Sequence, residues 1–176
     1  MAATESVRAA ETFEEIYRIH ASSVYRFCLS QLRDPSDAED IAAEVFASGF
    51  QAYVRRPVEP DGVRAWLLRI AYNAIIDQVR RRQRWARIIP LIVVRDAATA
   101  PVSVEHEVVA RDDLRLVLAC LGRLKPRERT LVGLRVAANL PYAEVAAVVR
   151  MSEHAATVAT RRALDRLRKL CTEADR

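Results

Sequence analysis

Glycine is scarce: the 176 residues hold only four, and no glycine-rich run that could cradle a phosphate. With Leu, Ala, Arg and Glu dominant, that shortage favours helix over sheet. Lysine is nearly missing as well, Lys125 and Lys169 being the only two, so arginine carries the positive charge. Arginine forks suit planar, bidentate phosphate contacts, although a GC-rich genome alone also loads a chain with Arg and Ala. The three cysteines, Cys28, Cys120 and Cys171, are odd in number and far apart, with no CxxC and no Cys/His pair at ligand spacing. That argues against a disulfide framework and a zinc site, and no metal or cofactor is expected. Cys28 and Cys120 sit among apolar residues and read as small core residues. His20, His106 and His154 fall in three different segments, and no Ser/His or paired-carboxylate arrangement lies on a plausible cleft. An enzyme is therefore not expected. No stretch approaches the roughly 18–20 apolar residues of a membrane span, and the N-terminal MAATESVRAAETF lacks the apolar core of a signal peptide. The expectation is a cytoplasmic protein without membrane insertion.

What is present is a core-forming fraction of 51% apolar residues and a formal charge of +5. Net charge permits a polyanionic partner without requiring one; the distribution says more. Acids crowd between Asp34 and Glu44, arginines at 80–87 and again at 161–168. The reading is all-α, with two small helical domains joined by a linker: residues 12–87, a linker over 88–108, and residues 109–172.

Phe13, Ile16, Tyr17, His20, Val24, Phe27, Cys28 and Leu32 recur at spacings of three and four, which predicts one helix from Thr12, with Thr12 and Glu15 as its capping box. His20 lies on that apolar face and reads as a packed core histidine. Asp34-Pro35 breaks the helix, and Ser36 with Glu39 reads as the cap of the next, whose stripe is Ile41, Val45, Phe46, Phe50 and Tyr53. Asp61 is expected to cap a third helix from about Val63 to Arg87, with Trp66, Leu67, Ile70, Ala74 and Val79 facing the core and Ile75 and Ile76 at the margin. Its far end, Arg80-Arg81-Arg82-Gln83-Arg84-Trp85-Ala86-Arg87, holds more charge than a helix dipole needs, and fits a surface lying on a nucleic-acid backbone. Residues 88–107 carry Pro90, Pro101 and no helical stripe, hence the linker. Its apolar start, 88–94, either packs on a domain or docks on a partner.

In the second half, Val109, Leu114, Val117, Leu118 and Leu121 outline a helix ending near Gly122. Pro126 opens another, with Leu131, Leu134 and Val136 apolar, and Asn139 is placed as its left-handed cap. A short helix, Tyr142 to Val149 with Val145 and Val148 inward, a turn at Arg150-Met151 and a longer helix capped by Ser152 then describe a helix-turn-helix. The second helix begins with small and polar residues, Glu153, His154, Thr157 and Thr160, which suit base edges in a major groove. It ends with Arg161, Arg162, Arg166, Arg168 and Lys169, which suit phosphates.

These residues resemble a family. Asp37-Ala-Glu-Asp-Ile-Ala-Ala-Glu-Val-Phe46, Arg64-Ala-Trp-Leu-Leu-Arg-Ile-Ala-Tyr-Asn73, Ile76-Asp77 and the Arg80–Arg84 run are similar to region 2 of bacterial RNA polymerase sigma factors. Leu121-Gly-Arg-Leu-Lys-Pro-Arg-Glu-Arg129, Leu140-Pro-Tyr-Ala-Glu-Val-Ala146, Ser152-Glu153, Arg162-Ala163 and Leu167-Arg168 are similar to region 4. Both regions in this order, from about Thr12 to Leu170, look like the extracytoplasmic-function (ECF) class. The resemblance implies core RNA polymerase as partner through its β′ clamp helices and β flap, promoter DNA as target, and an anti-sigma factor as a further candidate partner. It implies polymerase contacts by Asp37, Glu39, Asp40, Glu44, Phe46 and Phe50, although a solvated acidic helix face accounts for the same pattern.

It also implies −10 element contacts by Trp66, Arg69, Asn73, Arg80, Arg81 and Arg82, although Trp66 sits on the apolar stripe and reads rather as core, and Asp77 would orient a neighbouring arginine. The loop Val58 to Gly62 would border a pocket for a flipped base. Contacts to the −35 element fall to Ser152, His154, Thr157, Arg161, Arg162 and Arg166. The chain departs from the family pattern at Pro141, Arg150, His154-Ala155-Ala156-Thr157 and Ala159, which thins the cations at the front of the recognition helix, and at Ala42-Ala43 and Gly49 in the acidic helix. A stand-alone helix-turn-helix regulator would need a dimer seam or ligand pocket that no spare apolar helix supplies. A sigma-like protein that no longer binds DNA is the third reading. The chain ends six residues past Leu170, so no appended C-terminal domain is expected.

Overall fold

The computed structural model describes residues 2–56, 58–88 and 108–174; of the linker expected over 88–108, Ile88 and Val108 belong to helices and the rest lies outside the described residues. Among the described residues seven α-helices follow one another: α1 (Ala2–Leu32), α2 (Pro35–Arg55), α3 (Val63–Ile88), α4 (Val108–Arg123), α5 (Pro126–Val132), α6 (Tyr142–Val149) and α7 (Glu153–Ala174). A 3-10 turn, Pro60–Gly62, precedes α3, and a π-helical turn, Gly133–Ala137, continues α5.

Several boundaries differ from the sequence expectation. Helix α1 starts at Ala2, ten residues before the predicted capping box, because the preceding AATESVRAAE is itself rich in helix formers. The cap of α2 is Asp34, not Ser36: its carboxylate accepts the Asp37 N–H at 2.9 Å, and Pro35 occupies the first turn, where no N–H is needed. Asp61 lies within the 3-10 turn ahead of α3. Asn139 and Arg150 do take left-handed backbones (φ 53 and 55), and the Ser152 hydroxyl accepts the Ala155 N–H at 3.3 Å.

Helices α1–α3 pack around Val24, Phe27, Val45, Leu67, Leu68 and Ala71, all buried. Within α3 the buried line is Val63, Leu67, Ala71 and Ile75, spaced by four. Val79, expected on that face, is exposed, whereas Trp66, Ile70, Ala74 and Ile76 are half-buried. The line predicted from Trp66 was rotated because apolar residues occur on two sides of α3. On the Trp66 side the neighbour is Gly49 of α2, while α6 also packs against α3 and receives Arg69. Likewise Leu114, Val117 and Val136, expected inward, are exposed, and Cys120, Leu121 and Leu124 take the buried positions.

The two halves share one hydrophobic cluster, in which Leu131, Leu134, Ala138, Leu140, Val145 and Val148 join the residues of α1–α3. A smaller cluster, Leu121, Leu124, Val132 and Ala163 with Leu167 and Leu170, closes α4 and α5 onto α7. At the seam between halves Gln31 Nε2 donates to the Arg129 carbonyl (3.2 Å) and to Ser30 Oγ (2.9 Å), while Thr130 Oγ1 donates to Gln31 Oε1 (3.2 Å). Gly133 permits this approach: a Cβ there would lie 2.5 Å from both Gln31 Nε2 and Ser30 Oγ. Arg26 Nε adds a bond of 3.0 Å to the Ala137 carbonyl.

Candidate nucleic-acid interface

A helix repeats its surface about every three to four residues, and α3 uses that period to build a ridge. Arg69, Asn73, Asp77, Arg80, Arg81 and Arg84 all lie exposed along it, with Trp85 exposed at its end. Asp77 Oδ1 lies 3.9 Å from Arg80 Nη1, with both side chains largely exposed. The predicted −10 residues are not equally free. Arg69 Nη2 reaches the Ala147 carbonyl of α6 at 3.5 Å. Arg82 leaves the ridge and donates to Asp37 Oδ1 of α2 at 2.6 Å, so a residue expected on DNA is paired with one expected on polymerase. Asn73 and Arg81 stand exposed without a partner among the described residues. Trp66 is half-buried: it approaches the Gly49 backbone and lines a hollow of about 530 Å³ with Ala52, Arg56, Val58 and Glu59. That hollow adjoins the loop expected to border a flipped base. Gly49, a departure from the family pattern, is buried where a Cβ would come 3.2 Å from Leu67 Cδ2 and 3.4 Å from Phe13 Cζ.

Helix α2 presents Glu39, Asp40 and Glu44 to solvent, whereas Asp37 is largely enclosed by its bond to Arg82. Phe46 is not a free anchor as expected. It is buried, edge-on to Tyr17 (4.7 Å) and Phe13 (6.4 Å), because the α1 stripe meets it directly. Phe50 is partly exposed, with its ring 5.3 Å from Phe13. Between α1 and α2 runs a groove of about 460 Å³ lined by Tyr17, Ala21, Tyr25, Glu39, Ala42 and Phe46. Burial, then the neighbouring Glu39 charge, raises the Tyr25 phenol above its ordinary range, so it remains a hydroxyl. The small Ala42 and Ala43 keep this groove open. It is an apolar trough with an acid at its rim, suited to a basic amphipathic helix.

On α7 the predicted −35 residues His154, Arg161 and Arg162 are exposed and carry no ion pair among the described residues. Ser152 serves as the cap, and Thr157 is half-buried. Arg166 faces Glu128 of α5 at 3.8 Å, and Glu128 also accepts the Lys125 N–H, so Arg166 links α7 to the first turn of α5. Thr160 is fully buried and donates to the Ala156 carbonyl at 2.7 Å, which removes it from the reading face. Sequence reasoning missed the seam residues Gln31, Thr130 and Gly133 altogether. The available signal was Ser30-Gln31 continuing an apolar helix face, and a glycine inside a helical run.

Two helical regions, one bearing a cationic ridge beside an acidic helix and one a helix-turn-helix, match known families in the same order. Residues 16–85 match the Sigma-70 region 2 family model, and residues 114–167 match Sigma-70, region 4. The chain belongs to the sigma-70 family. It is 29% identical over 143 residues to the ECF RNA polymerase sigma factor SigM of Bacillus subtilis, covering 81% of this chain and 84% of that one. To the ECF RNA polymerase sigma factor SigE of Mycolicibacterium smegmatis it is 32% identical over 151 residues, 84% of this chain and 56% of the relative. The fold is similar to that of the sigma factor RpoE from Bartonella quintana, solved with the anti-sigma factor NepR, with a TM-score of 0.74 at 21% identity over 94% and 99% of the two chains. This chain is thus an ECF sigma factor, acting in transcription initiation, in a family of non-catalytic regulators. Among its described residues no helix is long and apolar enough to cross a membrane.

Proposed function

We propose that the sigma factor works in the cytoplasm as the promoter-specificity subunit of RNA polymerase and has no enzymatic activity of its own. Residues 12–87 form the domain that joins core polymerase and the −10 element, residues 88–108 the linker, and residues 109–172 the domain for the −35 element and the β flap. The exposed α2 acids Glu39, Asp40 and Glu44, with the Tyr17–Phe46 groove, receive the β′ clamp helices. Trp66, Arg69, Asn73, Arg80, Arg81 and Arg82 hold the opened −10 strand. Ser152, His154, Thr157, Arg161, Arg162 and Arg166 serve the −35 element, with Ser152 and Arg166 acting by positioning α7. An anti-sigma factor is a further partner of this arrangement.

The observation that carries the reading is the exposed α3 ridge, on which Asn73 and Arg81 have no partner among the described residues, with the Trp66 hollow near the start of the same helix. Cations along a helix neutralise phosphates, an amide hydrogen-bonds an unpaired base, and an indole face offers stacking. Strand opening then needs no hydrolysis, because binding to the opened strand offsets unpairing.

The closed packing of α6 on α3 has a consequence for this function. Packed helices lie about 8–10 Å apart, whereas promoter elements some 25 base pairs apart are separated by roughly 85 Å at 3.4 Å per pair. The two readers therefore have to part before both bind. In-vitro transcription with core polymerase and a promoter library tests the assignment. Specific start sites that depend on the chain support it. Duplex binding without polymerase would instead indicate a stand-alone regulator, and co-purification with core without initiation a sigma-like protein that no longer reads DNA.

A further inference from the structure

Cysteines 51 positions apart in sequence meet in space. Cys120 lies on the face of α4 that packs against α7, and is 1% exposed. Cys171 lies near the end of α7, half-exposed, with its thiol close enough to that of Cys120 for a thiol–thiol hydrogen bond. The two backbones are held together on either side of the pair. Leu121 and Leu124 of α4 share a cluster with Leu167 and Leu170 of α7, and Arg123 Nη2 meets Glu173 Oε2 at 3.6 Å. The third cysteine, Cys28, is fully buried in the other half of the molecule. One sulfur of the α4–α7 pair is therefore open to a small oxidant, and its neighbour is sealed behind it.

We propose that Cys120 and Cys171 form a reversible disulfide under oxidation by a hydroperoxide, stapling α4 to the C-terminal turns of α7. In the first step the Cys171 thiolate attacks hydrogen peroxide: an S–O bond forms, the O–O bond breaks, and the departing hydroxide takes up the thiol's proton as water. In the second step Cys120 sulfur attacks the resulting sulfenic acid: the S–S bond forms, the S–O bond breaks, and hydroxide leaves as water with the Cys120 proton. The net change is two thiols and one peroxide to one disulfide and two waters; the sulfurs lose two electrons and the peroxide gains them. Burial, and then the hydrogen bond to Cys120, push the Cys171 thiol up to about 11, so little thiolate is present at neutral pH. The reaction is accordingly slow and responds to sustained oxidation rather than to a brief pulse. Its half-exposed position also leaves the disulfide open to reduction, as befits a labile bond rather than a structural one. Helix α4 is held chiefly by α7, so the staple acts on the seam from which α7 presents Arg161 and Arg162.

The test uses the full chain, purified reduced, treated with hydrogen peroxide and trapped with a thiol-alkylating reagent. Peptide mapping should find the Cys120 and Cys171 peptides joined, the intact mass lower by two hydrogens, and the Cys28 thiol retained. The melting temperature should rise by about 5–10 °C and return on adding dithiothreitol. The rate should increase about tenfold per pH unit between roughly pH 7 and 10, following the thiolate. Cys171→Ser, at the half-exposed position, should fold normally and lose the oxidant-dependent rise. Over-oxidation of Cys171 with Cys120 still free, linkage between molecules, or an unchanged melting shift in Cys171→Ser would overturn the proposal.

Discussion

Gly133 offers a test of whether the two halves of the free sigma factor are clasped. In Gly133→Ala the new methyl would sit 2.5 Å from both Gln31 Nε2 and Ser30 Oγ, and 3.2 Å from Phe27 Cδ2. Ser30 and Gln31 are buried and bonded to each other, Ser30 Oγ also donates to the Phe27 carbonyl at 2.7 Å, and Gln31 spans the seam to Arg129 and Thr130. Neither can step aside while keeping its partners. Overpacking costs about 1–3 kcal/mol, and a buried polar group left unpaired another 1–3 kcal/mol. Against this, Gly133 has an ordinary helical backbone (φ −59), so alanine returns about 1 kcal/mol of helix propensity. The net penalty is about 1–5 kcal/mol, and it falls on the seam rather than on either half's own core. Small-angle scattering should show the substituted chain expanding by several ångströms from the radius of about 16 Å expected of a compact chain of this length. Limited proteolysis between the halves should accelerate in parallel. An unchanged radius together with a higher melting temperature would refute the reasoning, since helix propensity alone would then govern the site.

Three further outcomes follow from particular residues. Asn73→Ala should reduce promoter opening, read by permanganate reactivity of the −10 thymines, more than it reduces core binding; equal loss of both would contradict the placement of Asn73 on the opened strand. Arg150→Gly should raise stability by about 0.5–1 kcal/mol in urea melts, because a non-glycine residue at φ 55 carries left-handed strain that glycine relieves, less its greater unfolded-state entropy. His20 is held below its ordinary range by burial and, secondarily, by Arg64. Its contribution to stability is therefore complete above about pH 6.5 and declines as pH falls through the lowered value, and His20→Gln should flatten that part of the pH–stability curve.

Helix number and order were legible in the sequence because apolar spacing, Asp34-Pro35, Pro126 and Asn139 are local signals. The joining of the halves was not. Trp66, Ile70 and Ala74 looked like a single core face, yet they lie to one side of the buried Val63–Leu67–Ala71–Ile75 line, with Trp66 turned toward Gly49 of α2, and the packing of α6 on α3 is something that periodicity cannot anticipate. For the same reason Arg69 and Arg82 read as free cations, although each has a partner distant in sequence. Phe46 shows the reverse case: its place in an acidic stretch suggested an anchor, and only the meeting of α1 and α2 reveals that its ring is already used. Charge type survived the passage to structure better than charge availability did, because availability depends on tertiary neighbours.

Arg82 puts availability to a measurable test. Its pair with Asp37 is short, but the Arg82 side chain is 58% exposed, and pairs of that kind contribute only about 0.2–1 kcal/mol. A phosphate competes readily for such a guanidinium, so Arg82 should leave Asp37 when the −10 strand arrives. Each phosphate neutralised adds about 0.7–0.9 to the slope of log affinity against log salt. Holoenzyme carrying Arg82→Ala should then show a promoter-binding slope shallower by that amount, as should Arg81→Ala, whose side chain has no ion pair to surrender among the described residues. If Arg82 instead stays on Asp37 in the complex, its removal will leave the slope unchanged while Arg81→Ala still lowers it. In that outcome the ion pair is a strut between α2 and α3, and the DNA ridge is narrower by one residue.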